Sequence, residues 1–459
     1  MRRAGMATEM REGLMIRHAR SISVIGIGAT LLGTAAPMAW SADVRGETAQ
    51  ATTYQVLNGR WFTGTDFVPK TMYVVDRVLR SRKPKQIDSI IDLRGSYVVP
   101  PFGEAHTHTL LDRASRIPEF LRLGIFYANV MNASRATWER ERRGFNQPGS
   151  VDVAVAIAGL TAPDGHPLQI GLRWQRDTAK LDGDWVHLID NLSDLDRQWP
   201  SVLGSGTDLV KTFLEYADHY RDRRGNPTIA SRYRGLDPAL LPEIVRRAHT
   251  AKLRVATHVR TASDFRLAIG AGVDEIAHLP GFSIGELRAT TDTALANEPN
   301  DLNRFRIDSA SVRLAAARGV VVQTTLSGWY LAERELSPEL LATFRALKVE
   351  AQRVHIDNLR LLKHHGVRIA LGSDAGRGTT IDEVRYIRSL NVFSDLELLK
   401  LLSESTPKAI FPDRKIGTLG DGYEASFVSL RDNPIRDLEA LQTIQLLVKQ
   451  GYVLPPIKD

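Results

Sequence analysis

Between Pro100 and Phe411 the chain alternates short apolar runs with stretches of helical periodicity, and this alternation restricts its fold more than any other feature. The first run opens Val98-Val-Pro-Pro-Phe-Gly-Glu-Ala-His-Thr-His108. Seven more follow, at Ile125–Met131, Val151–Ala158, Asp208–Phe213, Arg254–Val259, Glu275–Leu279, Val320–Thr325 and Arg368–Leu371. Helical patterns such as Pro238–Lys252, Ala262–Ala271, Ser309–Arg318 and Leu340–His365 lie between them. Repeated β and α units predict a parallel sheet with right-handed crossovers. Eight such units fit an α/β fold of the (β/α)8 TIM type. A doubly wound open sheet is the weaker alternative, because no glycine-rich phosphate fingerprint follows an early strand. The stretch from Leu160 to Gly206 reads as a long Gly/Pro/Asp-rich insertion after the third strand, and a long loop there is more often functional than idle.

The two ends have a different texture. Tyr54-Gln-Val-Leu, Arg60-Trp-Phe, Thr71-Met-Tyr-Val-Val and Ser89-Ile-Ile-Asp-Leu are short strand candidates, with Asn58-Gly59 as a hairpin signal. Ile416-Gly-Thr-Leu, Ala425–Leu430 and Gln445–Leu454 repeat the pattern. We expect residues 42–99 and 412–459 to build one small β-sandwich beside a barrel spanning residues 100–411.

The length of 459 residues accommodates this arrangement. Before it, Met15 to Ser41 resembles a secretory signal peptide: Arg17 and Arg20 precede an apolar stretch from Ile22 to Ala36, and small residues surround a cleavage point before Ala42. Residues 1–41 are therefore set aside from the fold. Export to a bacterial periplasm is expected, with no stable membrane anchor after cleavage. The net charge of +7 is partly carried there, since Arg2, Arg3, Arg11, Arg17 and Arg20 outweigh Glu9 and Glu12. No basic tract with interleaved aromatics points to nucleic acid. The chain has no cysteine, which excludes disulfides, thiolate metal sites and cysteine nucleophiles together.

Histidines fall where such a barrel concentrates chemistry. His106 and His108, two apart on a strand end, project to the same side. His258 closes Arg-Val-Ala-Thr-His, His278 closes Glu-Ile-Ala-His, and Asp374 follows Ile-Ala-Leu-Gly-Ser. Each lies at the C-terminal end of an apolar run, the end where catalytic groups of a barrel converge. Any one histidine is most simply a hydrogen-bonded strand-end residue. Four of them with an aspartate, on strands one, five, six and eight, form a set suited to divalent metal. Lys211, between Val210 and Thr212, sits in the fourth strand, where a buried ammonium without a partner is costly.

These motifs together (Pro-Pro-Phe-Gly-Glu-Ala-His-Thr-His108, Val-Lys211-Thr, Thr-His258-Val, Ala-His278-Leu and Gly-Ser-Asp374-Ala) resemble the amidohydrolase superfamily, in particular its imidazolonepropionase- and prolidase-like branch. The resemblance covers nearly everything after the signal segment. It implies a metal-dependent hydrolase of carbon–nitrogen bonds. It implies His106, His108 and Asp374 as ligands of a first metal and His258 and His278 as ligands of a second. Lys211 matches the lysine that many members carbamylate, giving two Zn(II) ions bridged by the modified side chain. Asp374 would accept the proton of the attacking water.

The expected substrate is a small molecule with an amide bond: a dipeptide, an N-acyl amino acid or a cyclic amide. Esters, lactones and phosphotriesters are alternatives, because the same nucleophile attacks them. A non-catalytic binding barrel is the reading from another class. Loop residues His166, Tyr216, Tyr233 and Arg234 are candidate substrate contacts, with Arg234 suited to a carboxylate. Ser327, Trp329 and Tyr330 follow the seventh strand. The sequence leaves metal identity open and allows a homo-oligomer.

Overall fold

A computed structural model of the protein describes residues 53–110, 113–226, 229, 233–281, 301–328, 336–374, 376 and 378–457. The signal-like segment, Trp329 and Tyr330 lie outside them. Five strands come first: β1 (Tyr54–Phe62), β2 (Phe67–Val75), β3 (Val78–Arg80), β4 (Ser89–Asp92) and β5 (Tyr97–Val99). Three strands near the other end, β16 (Phe427–Leu430), β17 (Ile444–Lys449) and β18 (Tyr452–Val453), join them in one eight-stranded sheet. β16 pairs antiparallel with β5, so both ends of the chain share one hydrogen-bonded layer.

Two details depart from expectation. Asn58-Gly59 is not a hairpin turn. β1 runs through it, and the register with β2 slips between Val56 and Gly59. Asn58 takes the left-handed conformation and its amide donates to Asp92. A Cβ on Gly59 would lie 2.8 Å from both Leu93 and Trp61, so the dipeptide makes a bulge rather than a reversal. Ile416–Leu419 forms no strand, because Gly417 has a positive φ and packs against the Glu404 backbone.

The middle of the chain supplies parallel strands. β6 (Phe102–Thr107), β7 (Ile125–Ala133) and β8 (Asp152–Ile157) form one sheet. β9 (Gly159–Thr161), β10 (Val186–Leu188), β11 (Leu209–Phe213), β12 (Arg254–His258), β13 (Glu275–Ile276), β14 (Val321–Gln323) and β15 (Arg368–Ala370) form a second, in the order β10-β9-β11-β12-β13-β14-β15. All eight strand candidates of the middle region are present. The Leu160–Gly206 insertion is folded rather than loop-like: it contributes β9 and β10 and the helices Leu168–Gly171, Thr178–Leu181 and Leu192–Gly204.

One hydrogen bond crosses from the first parallel sheet to the end of the second: Ala105 N–H donates to Leu371 O at 2.8 Å. Nearby, Asp374 N–H donates to His106 O at 2.9 Å. The result is a mixed α/β fold whose outer crossings are helices such as Leu241–Thr250, Ala262–Ala271, Ser309–Arg318 and Pro338–His364. Alternation within strands sorts their residues. Leu209 shares a face with Lys211, and Ala256 with His258. Leu209 and Ala256 pack with Met131 and Ala156 in a small apolar cluster beneath the polar ends.

Candidate metal centre

The strand ends bring the expected residues together. His106 Nε2 lies 3.2 Å from His108 Nε2 and 3.6 Å from Asp374 Oδ1, and His108 Nε2 lies 3.2 Å from the same oxygen. The His278 ring is 4.5 Å from that of His106 and 4.4 Å from that of His258. His278 Nδ1 is 3.8 Å from Asp374 Oδ2. Lys211 lines the same cavity of about 590 Å³ as His108, His258, His278 and Asp374.

Local geometry explains how Asp374 reaches this place. Gly372 must come close to β6, since a Cβ there would lie 2.7 Å from His106 N and Cβ. Asp374 itself has a positive φ. Glu104, wholly buried, accepts from Ser373 N–H at 2.7 Å and from His106 N–H at 3.3 Å, tying the Asp374 loop to β6. Burial pushes the Glu104 carboxyl up to about 8. Asp374 is not the cap of the next helix. Thr379 performs that task, in a capping box with Asp382.

Other partners fix the imidazoles, and the sequence did not reveal them. Gln323 Nε2 donates to the Glu275 carboxylate at 2.7 Å, and Arg254 braces Glu275 from below. That donation turns Gln323 Oε1 toward His106 Nδ1, 2.9 Å away. The amide oxygen only accepts, so His106 carries its proton on Nδ1 and leaves the Nε2 lone pair facing His108 and Asp374. Glu215 Oε1 accepts from His258 Nε2 at 2.8 Å, and Arg260 also holds that carboxylate. Thr325 Oγ1 lies 2.8 Å from His278 Nδ1.

Electrostatics favour ligand forms. Burial pushes His106, His258 and His278 well below the usual imidazole value, and the Lys211 charge adds to this, so all three are neutral at pH 7. Enclosure alone would raise the Asp374 carboxyl, but His106, His108 and Lys211 together hold it below the usual carboxylate range. Burial brings the Lys211 amine down to about 7, against the pull of Asp374 and Glu275. Its Nζ is buried and has no hydrogen-bond partner among the described residues. A buried amine without a hydrogen-bond partner, amid neutral imidazoles and one carboxylate, makes a donor set that divalent metal fits.

His166 also lines the cavity, its ring 4.8 Å from His258, with Gln169 Nε2 2.9 Å from its Nδ1. His166, Glu215 and His258 bring one donor atom each to within 4.8 Å of one another. Tyr216, Tyr233 and Arg234 are placed outside the cavity lining. The two tyrosines pack together with ring centres 6.1 Å apart, and Arg234 pairs with Asp164 at 3.0 Å. Ser327 lies in the segment held by Glu383, which accepts its N–H.

Residues 230–457 match the family model described as Amidohydrolase family. That stretch includes His258, His278 and Asp374, and the fold brings His106, His108 and Lys211 to them. The chain belongs to the amidohydrolase superfamily. Among curated relatives, the ochratoxinase of Aspergillus niger is 34% identical over 79 residues, which is 17% of this chain and 16% of that protein. The crystal structure of the A. niger ochratoxinase superposes with a TM-score of 0.65 at 18% identity, covering 88% of this chain and 96% of that one. A Xaa-Pro dipeptidase with bound methionine gives a TM-score of 0.63 at 16% identity, covering 88% and 100%. At these identities the structural likeness is one of fold.

Proposed function

We propose that this protein is an exported metal-dependent hydrolase that cleaves a carbon–nitrogen amide bond in a dipeptide, an N-acyl amino acid or a cyclic amide. The observation that carries the reading is the Lys211 amine, buried without a hydrogen-bond partner among the described residues and set among His106, His108, His258, His278 and Asp374. The activities in the names of the similar proteins, an ochratoxinase and a dipeptidase, lean the same way. In this reading β6–β8 and β11–β15, eight of the ten strands in the two parallel sheets, make one barrel within residues 100–411, and the mixed sheet of β1–β5 and β16–β18 belongs to the accessory sandwich. The signal-like segment at 1–41 supports export.

His106, His108 and Asp374 would hold one Zn(II), and His258 and His278 a second. Lys211 would bridge them as a carbamate: its neutral amine adds to the carbon of carbon dioxide and loses a proton. An amine brought down to about 7 is substantially neutral at physiological pH, which this addition needs. When bound, the metal pair supplies an acidified water and polarises the scissile carbonyl. Asp374 Oδ1 faces His106 and His108, and the Asp374 carboxylate would take the proton of the water. Asp374 then returns that proton to the leaving nitrogen as the C–N bond breaks, giving an acid and an amine. Gln323, Glu215 and Thr325 keep the imidazoles aimed throughout.

The test is metal content by elemental analysis on protein prepared with bicarbonate, beside Lys211→Ala, followed by turnover on an amide and dipeptide panel. Two metals per chain, reduced in the variant, and amide turnover are expected. Metal-replete protein that cleaves no member of the panel overturns the reading.

A further inference from the structure

Resting on that amide-hydrolase reading, we infer that the enzyme selects substrates carrying a free carboxylate beside a bulky flat apolar group, and that Arg173 and Trp185 read these two features. The folded insertion after β8 supplies both. Leu168, Leu181 and Val186 form a small core of their own, with Leu172, Trp185 and Leu188 packed against it. Asp177 caps its second helix by accepting from Ala179 N–H at 3.0 Å. The wall is therefore built rather than loose.

Within it, Trp185 is held on three sides. Asn132 Nδ2 of β7 donates to its carbonyl at 3.1 Å. Trp174 stands edge-on to its ring, with centres 5.0 Å apart. Gly171 lets the indole approach, since a Cβ there would lie 2.8 Å from Trp185 Cδ1. Ile170, Arg173 and Trp185 line the cavity that holds Asp374 and the histidines. Ile170 and Arg173 are three residues apart across the tight turn where Arg173 N–H donates to Ile170 O, so an apolar side chain and a cation adjoin.

The charges of the cavity decide what Arg173 does. Arg260 is engaged by Glu215. Arg234, the arginine that the sequence offered for a carboxylate, is outside the lining and paired with Asp164. Arg173 is exposed at the lining and its side chain has no ion pair or hydrogen bond among the described residues. A guanidinium forks onto a carboxylate with two parallel hydrogen bonds, and the attraction is screened less in a cavity than on an open surface. A fixed indole face offers the adjoining flat surface for an aryl or similar group.

The experiment compares N-acetyl-L-phenylalanine, N-acetylphenethylamine (the same amide and ring without the carboxylate) and N-acetyl-L-alanine, using wild-type holoenzyme, Arg173→Gln and Trp185→Leu. Wild type should prefer the acid over the phenethylamide. Arg173→Gln should raise KM for the acid by about 10- to 100-fold with kcat little changed, as loss of a charge-assisted hydrogen bond implies, and leave the phenethylamide unaffected. Trp185→Leu, checked by its Tm, should reduce the preference for phenylalanine over alanine. Binding of 3-phenylpropionate, which has no amide to cleave, is measured alongside by calorimetry. It should weaken about tenfold in Arg173→Gln. Equal effects of Arg173→Gln on both phenyl substrates, or unchanged phenylpropionate binding, overturn the inference while amide hydrolysis stands. Failure of wild type to cleave any of the three tells against the hydrolase reading instead, and phenylpropionate binding still decides the role of Arg173.

Discussion

Two lysines of this protein are buried to the same degree and live in opposite surroundings. Lys449, on β17, is fully enclosed and saturated: its ammonium donates to Asp152 Oδ1 and to the Gln147 carbonyl, both at 2.6 Å. Arg414 adds a second cation to the same carboxylate at 2.8 Å and links it to Glu424. Lys211, on β11, is 1% exposed, and no acceptor among the described residues meets its Nζ. Burial lowers the pKa of both amines, but at Lys449 the Asp152 carboxylate opposes the shift at hydrogen-bond distance. A buried charge that finds its partner within the fold is a fastener. One left without a partner marks a place where something from outside the polypeptide completes the structure.

The largest effect expected from this contrast is on chemistry. Lys211→Met should lower amide turnover by roughly 10³-fold, the range of a lost catalytic group, with a fall in bound metal by elemental analysis. The apo protein should melt no earlier than wild type, because an apolar isostere replaces an unsatisfied amine. An apo Tm that drops by many degrees would make Lys211 a fastener too and erase the distinction. Lys449→Met is the mirror experiment. It should destabilise the protein by about 3 kcal/mol in denaturant unfolding, since Asp152 loses its closest cation in a buried setting. Folded molecules should keep wild-type turnover and metal content.

Smaller effects sharpen the picture at Lys211 and its neighbours. Gln323→Leu frees the proton position of His106 and should weaken metal binding about 10- to 100-fold in a chelator competition, with little change in the fold by circular dichroism. The pH dependence of carbamate formation should be milder. With an amine near 7, the neutral fraction rises with pH, from about a tenth at pH 6 to about nine tenths at pH 8. The carbamate carbon signal from labelled bicarbonate should therefore grow several-fold across that interval. A lysine at its ordinary value would give far less signal at pH 8 and a continuing rise above it.

The sequence made the ligand set legible because each member ends an apolar run, and strand direction alone puts such ends on one side. The groups that hold the ligands were hidden for a physical reason. Gln323 meets His106 across 217 positions, and nothing local distinguishes it from any other strand-end amide. Glu215 follows β11 like any loop residue in the sequence, and its role comes from β12 lying alongside. The sequence offers Arg234 for a carboxylate and carries no local signal that singles out Arg173. They differ because Asp164 is folded back onto one and not onto the other. Asn58-Gly59 carried a true signal for left-handed backbone, but that conformation serves a bulge as well as a turn. The eight parallel strands were readable from periodicity, whereas the strands inside the insertion were too short to register.

The Lys449–Asp152 pair also bears on how the chain acquires its structure during synthesis. Asp152 opens β8, yet its closest cation lies 297 positions later. A nascent chain that has emerged only as far as Asp374 holds every implied metal ligand but must leave that carboxylate in water. Closure of the region around β8 therefore waits for residue 449 to leave the ribosome.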